Sequence, residues 1–167
     1  CLRSLDVATF VVFVAAHLSV VGNGVLTEFE CPDLYGPLDI DVSHCRLSVA
    51  DHTHIVNDYD PSRWSSIRIA IKSPNLNSKY FVARGVHAEC IKLNGANEPA
   101  PIIELCSHIV NLVSSGAMLK ANGSIVTEKI CNINACLTVK RTAWKTRLAE
   151  TNDWLENFRE AANDLAA

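Results

Sequence analysis

A long apolar run stands near the start of the chain, Val7–Val21 (VATFVVFVAAHLSVV), and it constrains every later reading because it sets the compartment of seven cysteines. A membrane-spanning helix needs roughly 20 largely apolar residues, whereas the apolar core of a secretory signal peptide is about 7–15. The run also carries Thr9, His17 and Ser19. It therefore reads as a signal sequence, with Arg3 as a thin positive flank and Val20-Val21-Gly22 or Gly22-Asn23-Gly24 as small residues suited to cleavage. On this reading residues 1–24 are a leader, residues 25–141 a β-rich domain and residues 142–167 a C-terminal helix. A second reading retains residues 7–26 as a membrane anchor. The remainder is then an ectodomain, part of a larger cell-surface or viral glycoprotein, and the opening at Cys1 in place of Met fits such a fragment.

The cysteines agree with an oxidising compartment. Loss of Cys1 leaves an even set, Cys31, Cys45, Cys90, Cys106, Cys131 and Cys136, as expected of a disulfide framework whose pairing the spacing leaves open. Cys131 with Cys136 would close a small loop, and Cys31 with Cys45 would brace the mature N-terminus. The triplet Asn122-Gly123-Ser124 is a glycosylation sequon in a turn-like stretch, so Asn122 is the expected acceptor. At 167 residues the chain suits one ordinary domain, and 49% hydrophobic with 20% charged residues excludes a disordered one. A net charge of -3 gives no sign of a nucleic-acid partner or of an anionic membrane surface.

Hydropathy patterns predict strands at Leu38–Val49, with a break near Ser43-His44, and at Ser66–Lys72, where Ile67, Ile69 and Ile71 alternate with Arg68 and Lys72. Tyr80–Arg84 and Val86–Leu93 read as two strands interrupted at Gly85, and Ile125–Ile130 and Ala135–Lys140 as two more. Ile102–Leu119 repeats its apolar residues at spacings of three and four, which suits a helix closed by Gly116, although its β-branched content also allows a buried strand. Trp144, Leu148, Thr151, Leu155, Phe158, Ala162 and Leu165 form the seam of an amphipathic helix, with a capping-box-like start at Asp153. The expected fold class is α+β: a disulfide-braced, mainly antiparallel β domain with that helix packed on it or used for oligomerisation.

No motif specifies a reaction, a phosphate loop or a cofactor, and none is expected. His44, His52 and His54 are the candidate metal ligands, His52 and His54 sharing one strand face as two zinc ligands do. Tyr59, Arg63 and Trp64, in NDYDPSRW, are the candidate binding residues, because these side chains dominate interaction hot spots and turn formers bring them to the surface. The expected role is a secreted binding protein without catalysis, its partner a protein or other extracellular ligand. A metal-dependent secreted hydrolase is the enzymatic alternative.

Overall fold

In the computed structural model, which describes residues 4–13, 16–53 and 63–166, the apolar run near the start is divided between a helix and a strand. Helix α1 (Ser4–Val12) and strand β1 (Leu18–Gly22) are followed by α2 (Asn23–Phe29) and β2 (Leu34–Asp39). Ala8 and Val11 of α1, Val21 of β1, Val25 of α2 and Leu34 of β2 form one buried cluster. This corrects the leader reading: an apolar run of this length is also what a core helix and a buried strand provide, and here it is core. No helix among the described residues is long and apolar enough to cross a membrane, and the residues read as an anchor lie in this same packed cluster.

Packing divides the chain into two units, Cys1–His44 with Ile133–Ala167, and Cys45–Asn132. The first unit is built on a three-stranded antiparallel sheet of order β1-β8-β2, where β8 is Ala135–Lys140. Leu18 lies opposite Val139 and Gly22 opposite Ala135, while β2 pairs the other edge of β8 from Leu34↔Lys140 to Asp39↔Cys136 with a register shift between Tyr35 and Leu38. The shift falls at Gly36-Pro37. A Cβ on Gly36 would lie 2.7 Å from both the Cys136 Sγ and Leu26 Cδ1, so only glycine lets β2 approach this closely. The central position of β8 explains its unbroken burial from Ala135 to Val139, since both faces are covered.

After β8 come α5 (Arg141–Thr146) and α6 (Leu148–Ala166). The amphipathic seam exists, and α6 begins five residues before Asp153, at Leu148. It packs Leu155, Phe158 and Ala162, together with Trp144, against Ile40, Ala135 and Leu137.

The second unit holds β3 (Cys45–His52), β4 (Ser66–Ile71), α3 (Pro74–Ala83), β5 (His87–Lys92), β6 (His108–Val113), α4 (Ala117–Ala121) and β7 (Ser124–Ile133). Its five-stranded sheet has the order β5-β4-β6-β3-β7. β4 runs parallel to both β5 and β6, and β3 runs antiparallel to β6. Parallel neighbours require a crossover, and α3 provides it between β4 and β5. The strand expected at Tyr80–Arg84 is therefore the last part of a helix, started by Pro74 in its first turn and ended ahead of Gly85, which holds φ 73°. The helix expected over Ile102–Leu119 is β6, a three-residue loop and α4. Ile109 and Val110 are buried in a central strand, where β-branched side chains fit and the three-four spacing has no helical meaning.

The fold class is corrected with these elements. The sheets are mixed α/β, and Cys31, Cys45, Cys90, Cys106, Cys131 and Cys136 are all free thiols. Cys106 and Cys136 pack as small apolar side chains in buried positions, and burial pushes the thiols of Cys45, Cys106, Cys131 and Cys136 up from their ordinary value. Apolar packing does the bracing that disulfides were expected to do.

Candidate functional site

The parallel arrangement of β4, β5 and β6 places their carboxyl ends, Ile71, Lys92 and Val113, on one edge of the second unit's sheet. In open α/β sheets ligands bind outside such an edge, because the loops leaving the strands converge there. An open cleft of about 460 Å³ lies at this edge. It is lined by Lys72 after β4, Glu98 after β5, Asn111 on β6 and the loop Ser114-Ser115-Gly116 that leads into α4.

The loop is a run of small residues turned sharply at Gly116, whose φ of 78° is a conformation that residues with a Cβ seldom adopt. A Lys120 N–H to Gly116 carbonyl bond of 3.1 Å ties the turn to α4. Two hydroxyls, an accessible backbone and the Lys72 ammonium thus face a common space, the chemistry that receives an anionic oxygen group. The cleft also contains a carboxylate. Glu98 is only 6% exposed, and its Oε1 accepts a 2.7 Å bond from Asn111 Nδ2. Leu112 and Met118, both largely exposed, supply an apolar rim.

At the other end of β6 the second unit contains a buried polar group of a different kind. His108 Nδ1 lies 2.5 Å from Asp51 Oδ1, and Thr127 Oγ1 donates to Asp51 Oδ2 at 2.8 Å. The Trp64 ring covers His108 at 4.5 Å between centroids. Asp51, His108 and Thr127 stand on β3, β6 and β7, so this network pins three strands together and leaves both carboxylate oxygens occupied.

The candidate residues read from sequence are dispersed. Trp64 turns inward onto His108 and Phe81, Arg63 is exposed, and neither lines the cleft; Tyr59 lies outside the described residues. His44 is exposed with Asp41 3.6 Å away, and His52, at the far end of β3, packs over Gly123. A strand advancing ~3.3 Å per residue keeps the two histidines apart. His54 lies outside the described residues, and among the described residues no group of three or more His, Cys, Asp and Glu side chains could hold a metal ion. Asn122 follows α4 and donates its amide to the Met118 carbonyl at 2.9 Å.

The family model described as HisG: ATP phosphoribosyltransferase matches residues 3–160. The chain belongs to the ATP phosphoribosyltransferase family. It is 54% identical over 165 residues to the ATP phosphoribosyltransferase of Rhodospirillum rubrum, covering 99% of this chain and 73% of that protein. It is 54% identical over 159 residues to that of Paramagnetospirillum magneticum, covering 95% of this chain and again 73% of the relative. Among solved structures, the ATP phosphoribosyl transferase (HisG:HisZ) complex from Thermotoga maritima superposes with a TM-score of 0.80 at 28% identity, over 98% of this chain and 78% of that one. The periplasmic aliphatic sulphonate binding protein SsuA from Escherichia coli shares the fold alone, at a TM-score of 0.60 and 11% identity.

Membership in the ATP phosphoribosyltransferase family overturns the functional expectations. The secreted binding protein without catalysis, the anchored ectodomain and the metal-dependent hydrolase all give way to a family of transferases. The secreted, extracellular, disulfide-bonded glycoprotein expectation falls too, because the supposed leader is core and the thiols are free. The cleft residues were missed because Lys72, Glu98 and the Asn111–Gly116 segment lie apart in sequence and meet only through the sheet. Their signal was a buried strand (HIVNLV) running into small residues (SSG), obscured by reading the whole segment as helix.

Proposed function

We propose that this chain is an ATP phosphoribosyltransferase, passing a phosphoribosyl group from an activated donor to ATP, with the phosphoribosyl end held in the cleft beside Ser114–Gly116. The family match over residues 3–160 is the observation that carries the activity. The cleft's position at the carboxyl edge of parallel strands supports the placement. Hydroxyls of Ser114 and Ser115 and the ammonium of Lys72 suit the sugar's phosphate, and their attachment to strand ends of a packed sheet gives the phosphate a fixed seat. Such fixing is what transfer between two bound substrates requires, since a displacement of about 1 Å costs on the order of a hundredfold in rate.

The solved Thermotoga maritima relative is a complex of HisG with HisZ. That assembly supports a protein partner belonging to an enzyme complex, in place of an extracellular ligand. Nucleic acid has no part in this reading.

The test supplies the full chain with ATP and an activated phosphoribosyl donor and follows the mass of ATP plus one phosphoribosyl group. A product of that mass is expected, and Gly116→Val should lower kcat/KM by about a hundredfold or more through the misplaced loop. Folded protein that makes no such product at saturating substrates would sink the reading.

A further inference from the structure

Two of the described thiols are opposed across neighbouring strands of the second unit's sheet. β3 lies beside β7, and β7 forms the edge of that sheet. Thr53 N–H donates to the Gly123 carbonyl at 2.9 Å, and Thr127 Oγ1 donates to the Val49 carbonyl at 3.4 Å. Between these two contacts the chain moves four residues back along β3 and four forward along β7, which is one antiparallel register. Four more residues in the same register set Cys45 opposite Cys131. We propose that Cys45 and Cys131 form a thiol-exchange site that a low-molecular-weight disulfide oxidises reversibly, closing the second unit into a covalent loop.

Geometry, access and position carry the site. Directly opposed residues of an antiparallel pair point to the same face with Cα atoms about 4.5–5.5 Å apart, inside the about 4.4–6.8 Å that a disulfide spans. Both thiols are partly exposed and Cys131 stands on an edge strand, so a small reagent reaches them. The same sheet keeps its other thiols apart, since β4 separates Cys90 on β5 from Cys106 ahead of β6. Burial and then the neighbouring Cys45 push the Cys131 thiol up, and burial does the same at Cys45. Neither is thus a ready thiolate, which agrees with the free thiols of the structure and leaves oxidation to a supplied disulfide. The second unit runs from Cys45 to Asn132, so the bond would join its first strand to its last, and closing so long a loop stabilises the folded chain by restraining the unfolded one. In the exchange one thiolate of the pair attacks the reagent disulfide, a mixed disulfide forms and one reagent thiolate leaves. The second protein thiolate then attacks the protein sulfur of the mixed disulfide and expels the other. Two protein thiols are oxidised, one reagent disulfide is reduced to two thiols, and the two protons go to the leaving thiolates.

The experiment incubates the full chain with oxidised glutathione and maps its cysteine peptides by mass before and after dithiothreitol. A cross-linked peptide joining Cys45 to Cys131 is expected, returned to two thiol peptides by the reductant. The oxidised protein should melt about 5 °C or more above the reduced one. Cys45→Ser should arrest as a mixed disulfide of Cys131 with glutathione and show no such rise. Unmodified protein, glutathione retained on both cysteines, or pairing of other cysteines in their place overturns the site. A bond between Cys45 and Cys131 that leaves the melting temperature unchanged overturns the closure of the second unit. Each of these outcomes leaves the transferase reading standing.

Discussion

The two units solve the same packing problem with different sheets. The first is wholly antiparallel, three strands around a central β8, and its strand ends alternate between opposite edges. The second runs β4, β5 and β6 in one direction and so gathers three carboxyl ends, with their loops, on one edge. Only the second therefore builds its cleft by topology alone. Their interiors differ as well. The clusters of the first are apolar, Val11, Val21 and Val25 on one face and Leu137 with Leu155 on the other. The second adds to its apolar core the buried Asp51–His108–Thr127 network. The second sheet thus carries both a ligand edge and a polar pin.

The contrast breaks most sharply at the polar pin. Asp51→Ala removes the acceptor shared by His108 and Thr127 and should cost about 2–6 kcal/mol, since each buried group left unpaired costs about 1–3 kcal/mol, read by denaturant unfolding, with loss of amide protection concentrated in residues 45–132. Protection lost first in the antiparallel unit would contradict the division. Leu137→Ala, in the centre of β8, should cost about 2–5 kcal/mol through cavity formation, with the loss concentrated in the first unit. Gly116→Val forces a Cβ into the left-handed region and should cost about 1–2 kcal/mol, a modest effect on stability beside its large effect on turnover. Smallest is Arg159→Ala, which breaks an exposed pair with Glu156 one helical turn away and should change stability by no more than about 0.5 kcal/mol.

The thiols sharpen the comparison from another side. Reductant should leave the melting temperature unchanged, and alkylation at neutral pH should spare Cys106 in the second unit and Cys136 in the first, read by peptide mass. Burial raises both thiols above their ordinary 9.0 in the folded state only. The sign follows: between the unfolded and the folded values the native state binds more protons, so this contribution is intact below pH 9.0 and is lost as pH rises through the folded values.

Local patterning made several elements legible without a structure. Ser66–Ile71 is a strand because its alternating isoleucines admit no other periodicity, and the seam from Trp144 to Ala162 is helical because its spacing recurs over several turns. Ala135–Lys140 reads as a short strand candidate, and it is β8. What local pattern left open was partnership. Val7–Val21 is apolar whether it leaves the protein as a leader or lies inside as α1 and β1, and only the antiparallel pairing of β1 with β8 decides between them. The cysteines are spaced as well for free thiols as for disulfides, since pairing depends on strand neighbours far apart in sequence. Ile102–Leu119 satisfied a helical spacing by coincidence, and the parallel contact of β6 with β4 made it a strand. The cleft depends on the same contact: Glu98 and Asn111 meet, and Lys72 joins the Ser114–Gly116 loop, only because parallel strands bring their carboxyl ends to one edge. Sequence by itself determined which segments are apolar and with what period; tertiary structure decided what each segment faces, because burial and strand direction are properties of neighbours.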